Sequence, residues 1–119
     1  MNSKIETQFK KEIEIAKQKM AEKDFELSFK HLERAHVLGQ NYVSLHTISH
    51  YHMLRYGIFS GNIKEIIGQI IRLPLGILGS AIGIVPTGNT GGANVPMFKK
   101  MPIDNELKRI MQEDDSVGS

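Results

Sequence analysis

Four side chains near the middle of the chain combine residue types and spacings that suit a metal ion. Glu33 and His36 lie three residues apart, and His46 and His50 lie four residues apart. Residues at these spacings share one face of an α-helix, with Cβ atoms about 5–6 Å apart, so each pair can approach a single ion. Glu-x-x-His pairs serve helical di-metal sites, and His-x-x-x-His pairs serve helical zinc sites. We therefore take these four residues as candidate metal ligands.

Two consecutive helices must position these pairs. Helical periodicity predicts one helix from Phe25 to about Leu38, with Asp24 as its N-cap and Gly39 as its stop signal. A further helix is predicted over about 42–56. In the first of them His36 lies in the apolar stripe, and in the second His46 and His50 share a face.

A short turn between the two helices would bring the pairs together. If the turn is centred near Asn41, His36 and His46 are equally distant from it and lie level on antiparallel neighbours. Glu33 and His50 are then nearly level one turn deeper. The four side chains form a compact square, whereas His31 is predicted on the solvated side of its helix and His52 away from the site.

The ligand types restrict the ion to a transition metal. Imidazoles with one carboxylate suit zinc, copper, nickel, cobalt or iron, and the absence of cysteine excludes thiolate ligands. Met53, one turn beyond His50, could add a thioether that favours copper, or it could fill the core. The alternative for the whole cluster is a metal-free polar core or an acid–base cluster of hydrogen-bonded histidines.

Five further residues are candidates for an outer layer that orients the ligands or binds an anion. Gln40 flanks the apolar stripe of its helix, and Met53 follows His50. Gln69 and Arg72 share a face with Glu65 on a predicted fourth helix, opposite three isoleucines. That polar face is either a solvated stripe or a support for the imidazoles. Asn89 lies in the loop 88–92, which is either a turn or a backbone anion nest.

The remaining segments predict an all-α domain of about four to five helices. Residues 4–21 carry apolar side chains at helical spacing, namely Ile5, Phe9, Ile13, Ala16 and Met20. With the helix 25–38 they predict a tetratricopeptide-like hairpin at the N-terminus. A fourth helix starts near Ile63 and is ended or kinked by Pro74. A short helix over about 104–112 completes the single domain 1–111, and residues 112–119 are predicted to be a flexible acidic tail.

The apolar stretch 73–86 is rich in glycine and is predicted to be a buried helix. It is too short to cross a bilayer, so no transmembrane segment is expected. Its small residues, including Gly76 and Gly79, would allow close backbone approach, and a homodimer through this helix is one expected partnership.

Charge and composition exclude some functional classes. Residues 41–100 carry five basic side chains and one acidic side chain, which is too dilute for nucleic-acid binding. The N-terminal stretch is charged and periodic, without the apolar core of a secretory signal, so a cytoplasmic location is expected.

Several motifs resemble a family of small bacterial proteins known only as a domain of unknown function. They are LERAHVLGQ at 32–40, His46-x-x-x-His50 with the Met53-Leu54 pair, Gly68-Gln69-x-x-Arg72, VPTGNTGGANV at 85–95 and Met101-Pro102-Ile103. The resemblance covers about residues 24–107 and implies no established reaction. It implies an association with heavy-metal resistance genes. The family pattern matches Glu33, His36, Gln40, His46, His50, Gln69, Arg72 and Asn89.

The favoured hypothesis is a helical metal-binding protein that works in transition-metal buffering, delivery or tolerance, without covalent catalysis. One alternative is a metal-dependent hydrolase or oxygen-activating enzyme with an open coordination position. The other is a metal-free helical module for protein interaction, in which the histidines are simply packed.

Overall fold

The computed structural model describes the backbone of residues 3–118 and the side chains of residues 4–112. This part of the chain is a small all-α bundle without strands, as predicted. The helices are α1 (Ser3–Ala21), α2 (Phe25–Gly39), α3 (Val43–Ser60), α4 (Ile63–Ala81) and α5 (Asn105–Gly118).

The hairpin of α1 and α2 forms most of the core. The five apolar positions predicted on α1 are all buried, and all of them except Met20 belong to the same core cluster as Leu32, Ala35 and Leu38 of α2. The Ser28 hydroxyl donates to the carbonyl oxygen of Ala16, and polar contacts between the helices continue towards earlier residues of α1 and later residues of α2. The two helices are therefore antiparallel.

Local signals set most of the helix ends. As predicted, Asp24 caps α2, because its carboxylate accepts from the backbone N–H of Leu27 at 3.2 Å. Helix α3 ends later than the sequence predicts. Gly57 lies inside it, where a Cβ would stand 2.9 Å from Ile66 Cγ1, so this glycine permits α3 and α4 to pack closely. The stop is Gly61, whose φ of 74° is left-handed.

Helix α4 continues through Pro74 to Ala81, so of the two alternatives predicted at the proline, an end or a kink, the end was wrong. Proline lacks an N–H, which removes the helical donor for the carbonyl of Ile70. Ile70 lies on the solvent side of α4, with its side chain 58% exposed, and water can serve that carbonyl there. The loss of one helical hydrogen bond is therefore tolerated.

The faces of α4 are inverted relative to an ordinary surface helix. Its polar residues Glu65 and Gln69 are buried, whereas Ile63, Ile67 and Ile70 are more than half exposed. The polar face is thus packed inside the protein, and the possibility of a solvated polar stripe is excluded. The following apolar stretch is also largely exposed: Leu75, Ile77, Leu78, Ile82 and Ile84 are each at least 41% accessible. The prediction of a buried helix there was wrong.

The segment 82–104 forms turns rather than helix and crosses the bundle before α5 begins. Helix α5 continues to Gly118, where the sequence predicts a frayed tail from 112 onwards; Ser119 lies outside the described residues. The domain boundary at 111 and the flexibility of the tail remain predictions. Among the described residues, none of the helices is both apolar enough and long enough to span a membrane.

A buried carboxylate links three helices away from the histidines. Glu12 on α1 is 2% exposed and accepts from Arg34 Nε at 3.0 Å and from His31 Nδ1 at 2.8 Å. Burial alone would raise the pKa of Glu12, but these hydrogen bonds hold it below its ordinary value. Arg34 also donates to Glu106 of α5 at 3.1 Å. His31, predicted to be solvated, therefore belongs to an internal polar network.

We expect Glu12→Ala to lower the free energy of unfolding by about 2–4 kcal/mol, because Arg34 and His31 would lose their buried acceptor. Glu14→Ala is the matched control: Glu14 is exposed and its contact with Lys17 is 3.9 Å long, so its loss should cost less than about 0.5 kcal/mol. Urea unfolding measures both values, and equal losses in the two variants would contradict this role for Glu12.

Candidate metal centre

Three imidazole rings converge between α2 and α3. The Nε2 atom of His36 is 3.0 Å from Nε2 of His46 and 3.1 Å from Nε2 of His50, and the latter two atoms are 3.1 Å apart. All three side chains are at most 6% exposed. Among the described residues they form one group of potential ligands whose atoms lie within 4.8 Å of one another. The structure thus brings together the three histidines selected from helical phase.

Hydrogen bonds on the far side of the rings determine the tautomers of His36 and His50. The Nδ1–H of His36 donates to the backbone carbonyl of Asn89 at 2.7 Å. The Nδ1–H of His50 donates to Oε1 of Gln69 at 2.6 Å. Gln69 uses its amide nitrogen as a donor to Glu65, which leaves Oε1 as the acceptor. Both histidines therefore present an unprotonated Nε2 to the centre.

The arrangement places lone pairs against each other. His36 and His50 have no proton between their Nε2 atoms, although these atoms are only 3.1 Å apart. The ring of His46 is bound on its Nδ1 side by the hydroxyl of Ser80, which can accept from it in the same manner. Lone pairs at this separation repel each other, and a positive ion among them would turn the repulsion into coordination.

The protonation states also suit metal binding. Burial lowers the pKa of His46 and of His50 to about 4. Burial, and then the neighbouring imidazoles, lower the pKa of His36 well below its ordinary value. All three rings are consequently neutral near pH 7, the form in which imidazole coordinates a metal.

Two glycines allow the backbone to approach the rings. Gly91 has a φ of +87°, and a Cβ there would lie 2.4 Å from Cδ2 of His36. Gly76 on α4 faces the other two rings, where a Cβ would stand 3.4 Å from Cε1 of His46 and from Nε2 of His50. Side chains at either position would enter the space beside the imidazoles.

A cavity of about 40 Å³ adjoins the three imidazoles. One water needs about 10–15 Å³ of such space, so the cavity has room for about three water-sized groups. Leu75, Ile84 and Phe98 line it and are themselves exposed, which places its edge at the protein surface. Its polar lining, apart from the histidines, comes from Gln40, Arg72 and Asn89.

Glu33, the fourth predicted ligand, lies outside the group of converging ligand atoms. Its side chain is half-buried, and burial together with the charge of Glu65 raises the pKa of its carboxyl above the ordinary value. The square was drawn from two helices alone. In the structure, Gln69 of α4 binds His50, and the loop at Gly91 lies against His36 and accepts from Gln69.

The predicted outer residues surround the histidines in different ways. Gln69 binds His50 directly, and its amide nitrogen also lies 3.4 Å from the sulfur of Met53. Met53 is fully buried behind Gln69 and is not part of the ligand group. Arg72 donates to the carbonyl of Val95 at 2.7 Å.

The loop residues serve the site through their backbones. Asn89 binds His36 with its carbonyl, while its side chain donates to the carbonyls of Pro96 and Lys99 at 2.9 and 2.7 Å. Gln40 accepts from the Gly88 amide at 3.1 Å. The amide of Gly91 donates to Asn89 Oδ1 at 2.9 Å. These amides are used to hold the loop against the site, which favours the turn over an anion nest.

Ser80 was not predicted as a contact of the site. Gln69, Gly76 and Ser80 succeed one another at spacings of seven and four, which keeps them on one face of α4. This spacing continues the polar face beyond Pro74 and was the available signal. Because the fourth helix was predicted to be ended or kinked at Pro74, Ser80 was not assigned to this face.

The sequence profile of one family matches residues 3–111, and its description reads "Protein of unknown function (DUF3703)". The chain belongs to this family. The match includes all three converging histidines and confirms the resemblance to a domain of unknown function. No curated protein and no solved structure matches this DUF3703 chain.

The buried imidazoles predict how the stability of the metal-free DUF3703 protein depends on pH. The unfolded chain binds a proton at each histidine near pH 6.5, whereas the folded chain does so at His46 and His50 only near pH 4. The unfolded state therefore binds more protons in this window. The free energy of unfolding should fall by about 1.4 kcal/mol per pH unit for each of these imidazoles as the pH drops from about 6.5 to 4.

Chemical denaturation with a chelator present, repeated across this pH range, measures the effect. The variant His46→Gln/His50→Gln lacks two of the titrating rings and should lose less stability on acidification than the wild type. An identical pH dependence in both proteins would contradict the buried neutral state of these histidines.

Proposed function

We propose that this protein binds a divalent transition metal through His36, His46 and His50 and acts in cytoplasmic metal buffering, delivery or tolerance. The observation that carries the proposal is the triangle of Nε2 atoms with sides of 3.0–3.1 Å. In a tetrahedral zinc site with Zn–N distances of about 2.0–2.1 Å, neighbouring ligand nitrogens are about 3.3 Å apart. A small outward movement of the three rings would bring their Nε2 atoms to this spacing.

The hydrogen bonds behind the rings support the same proposal. Metal-binding histidines commonly donate their other N–H to a carbonyl or a side-chain oxygen, which fixes the tautomer and orients the ring. Asn89 and Gln69 supply such acceptors here, and the Ser80 hydroxyl is placed to do the same.

The ligand set favours zinc, cobalt, nickel or copper(II), which accept neutral imidazole. Because the Met53 sulfur lies outside the group, nothing in it adds a soft ligand that would favour copper(I). Glu33, the fourth ligand expected from the sequence, lies outside the converging group and is not among the ligands proposed here.

A second candidate function is metal-assisted hydrolysis or oxygen activation. The cavity beside the rings favours it, because three protein ligands and an accessible fourth position characterise catalytic rather than structural metal sites. No side chain in the cavity lining is a carboxylate that could serve as general base. We therefore place metal handling first.

We expect the wild-type protein to bind Zn²⁺ or Co²⁺ at one site per chain in calorimetry near neutral pH. The variant His46→Ala/His50→Ala should weaken the binding by more than about 100-fold. The loss of a hydrogen-bond partner behind a ligand typically weakens metal binding by about 10–100-fold, and the loss of two ligands should exceed that. His52→Ala is the matched control, because His52 lies on the same helix but outside the ligand group, and it should bind as the wild type does. Equal affinities in all three proteins would overturn the proposed site.

We also propose that two copies associate through the outer face of α4. The exposed aliphatic side chains follow helical spacing along one side: Ile63, Ile67, Ile70, Ile71, Leu75, Leu78 and Ile82. Two of the glycines expected in the contact are not free for a partner, since a Cβ at Gly76 would meet the imidazoles and one at Gly79 would meet the carbonyl oxygen of Ile84. A stable interface buries about 800 Å² per partner, and an exposed stripe the length of α4 offers area on this order. A second copy of the chain would present the same uncharged stripe, so the two stripes could pack together without burying a charge.

We expect light scattering to give a mass of twice 13.4 kDa for the wild type. Ile71→Glu, which places a charge in the middle of the stripe, should give the monomer mass. Ser44→Glu, an exposed site on α3, should leave the mass unchanged. A monomeric wild type would contradict the dimer, and binding of that monomer to lipid vesicles would assign the stripe to a membrane surface instead.

A further inference from the structure

Arg72 introduces a positive charge into the cavity that adjoins the histidines. It lines the same cavity as His36 and His50. Its Nη2 donates to the Val95 carbonyl. Its Nη1 is buried and has no hydrogen-bond partner among the described residues. One nitrogen of the guanidinium is thus left without an acceptor in the part of the chain that the structure describes.

The charges at this site do not balance once a metal is bound. A divalent ion and Arg72 together bring three positive charges, of which Glu65 offsets one, while the three imidazoles are neutral and none of the described residues that line the cavity is a carboxylate. Glu65 is the carboxylate whose charge acts on Arg72, and its oxygens already accept from Gln69 and from the Ala93 amide. Uncompensated charges in a partly buried site are costly, so an additional anion would stabilise the metal-bound state.

We propose that the fourth ligand of the metal is a small monoanion, of the size of azide or hydrogencarbonate, paired with Arg72. This inference rests on the proposed metal site. The cavity of about 40 Å³ holds about three water-sized groups, which restricts the anion to three or four non-hydrogen atoms. The apolar side of the cavity, formed by Leu75, Ile84 and Met97, provides no competing polar contacts.

The experiment uses the full chain loaded with Co²⁺, whose visible spectrum reports a change of ligand. Azide added to the wild type should change the spectrum saturably. Arg72→Gln should weaken azide binding by about tenfold or more, as expected for the loss of a charge-assisted hydrogen bond. The same variant should bind Co²⁺ at least as tightly as the wild type in azide-free buffer, because a repelling charge has been removed. Arg55→Gln, which removes a positive charge elsewhere on α3, is the matched control and should bind azide normally.

The outcomes separate the two proposals. If Co²⁺ does not bind to the wild type, the metal site itself is wrong. If Co²⁺ binds but azide leaves the spectrum unchanged, or if Arg72→Gln binds azide as the wild type does, the metal site stands and the anion proposal is overturned. Should Arg72→Gln fail to fold, the wild-type titration still overturns the proposal if azide leaves the spectrum unchanged.

Discussion

The convergence of three imidazole nitrogens in the interior is the constraint on which the surrounding structure depends. At least two of these nitrogens present lone pairs to each other at 3.1 Å, an arrangement that a positive ion would stabilise. Each ring is held from behind by a different segment: the loop at Asn89 binds His36, the first half of α4 binds His50 through Gln69, and its second half reaches His46. The site therefore joins α2, α3, α4 and the loop, and among the described residues α4 contributes no side chain to the hydrophobic core cluster that α2 and α3 share.

The inverted orientation of α4 follows from this constraint. Its polar side chains are used inside the protein, where Gln69 connects His50, Glu65 and the Gly91 carbonyl. A helix that turns its polar face inward must leave its apolar face outside, and here that face is a stripe of isoleucine and leucine. Leu75 belongs both to the stripe and to the cavity lining. A partner that covers the stripe would therefore also reach the edge of the metal site, so that association and access to the metal would be physically linked.

Local patterns in the sequence predicted the hairpin, the N-cap Asp24 and the three histidines, whereas Gly39 and Gly57, predicted as stop signals, lie inside α2 and α3. Helical phase was sufficient for these, because the buried face of α1 and the shared faces of His36, His46 and His50 depend on one or two helices. Two features depended on a third element and could not be obtained in this way. Amphipathicity shows that α4 has two faces but does not tell which one points inward. The height of Glu33 along an isolated pair of helices does not reveal that Gln69 binds His50 or that Gly91 lies against His36. Helix α4 likewise continues through Pro74 because the carbonyl that loses its helical donor, that of Ile70, lies on the solvent-facing side of the helix.

The coordination of zinc by three imidazoles is tested most directly by X-ray absorption spectroscopy at the zinc edge of the metal-loaded protein. The account predicts a nearest shell of nitrogen or oxygen atoms at about 2.0–2.1 Å with outer-shell scattering from three imidazole rings and no sulfur. A spectrum with scattering from fewer than two imidazoles, or with a nearest shell formed only by carboxylate and water oxygens, would contradict it.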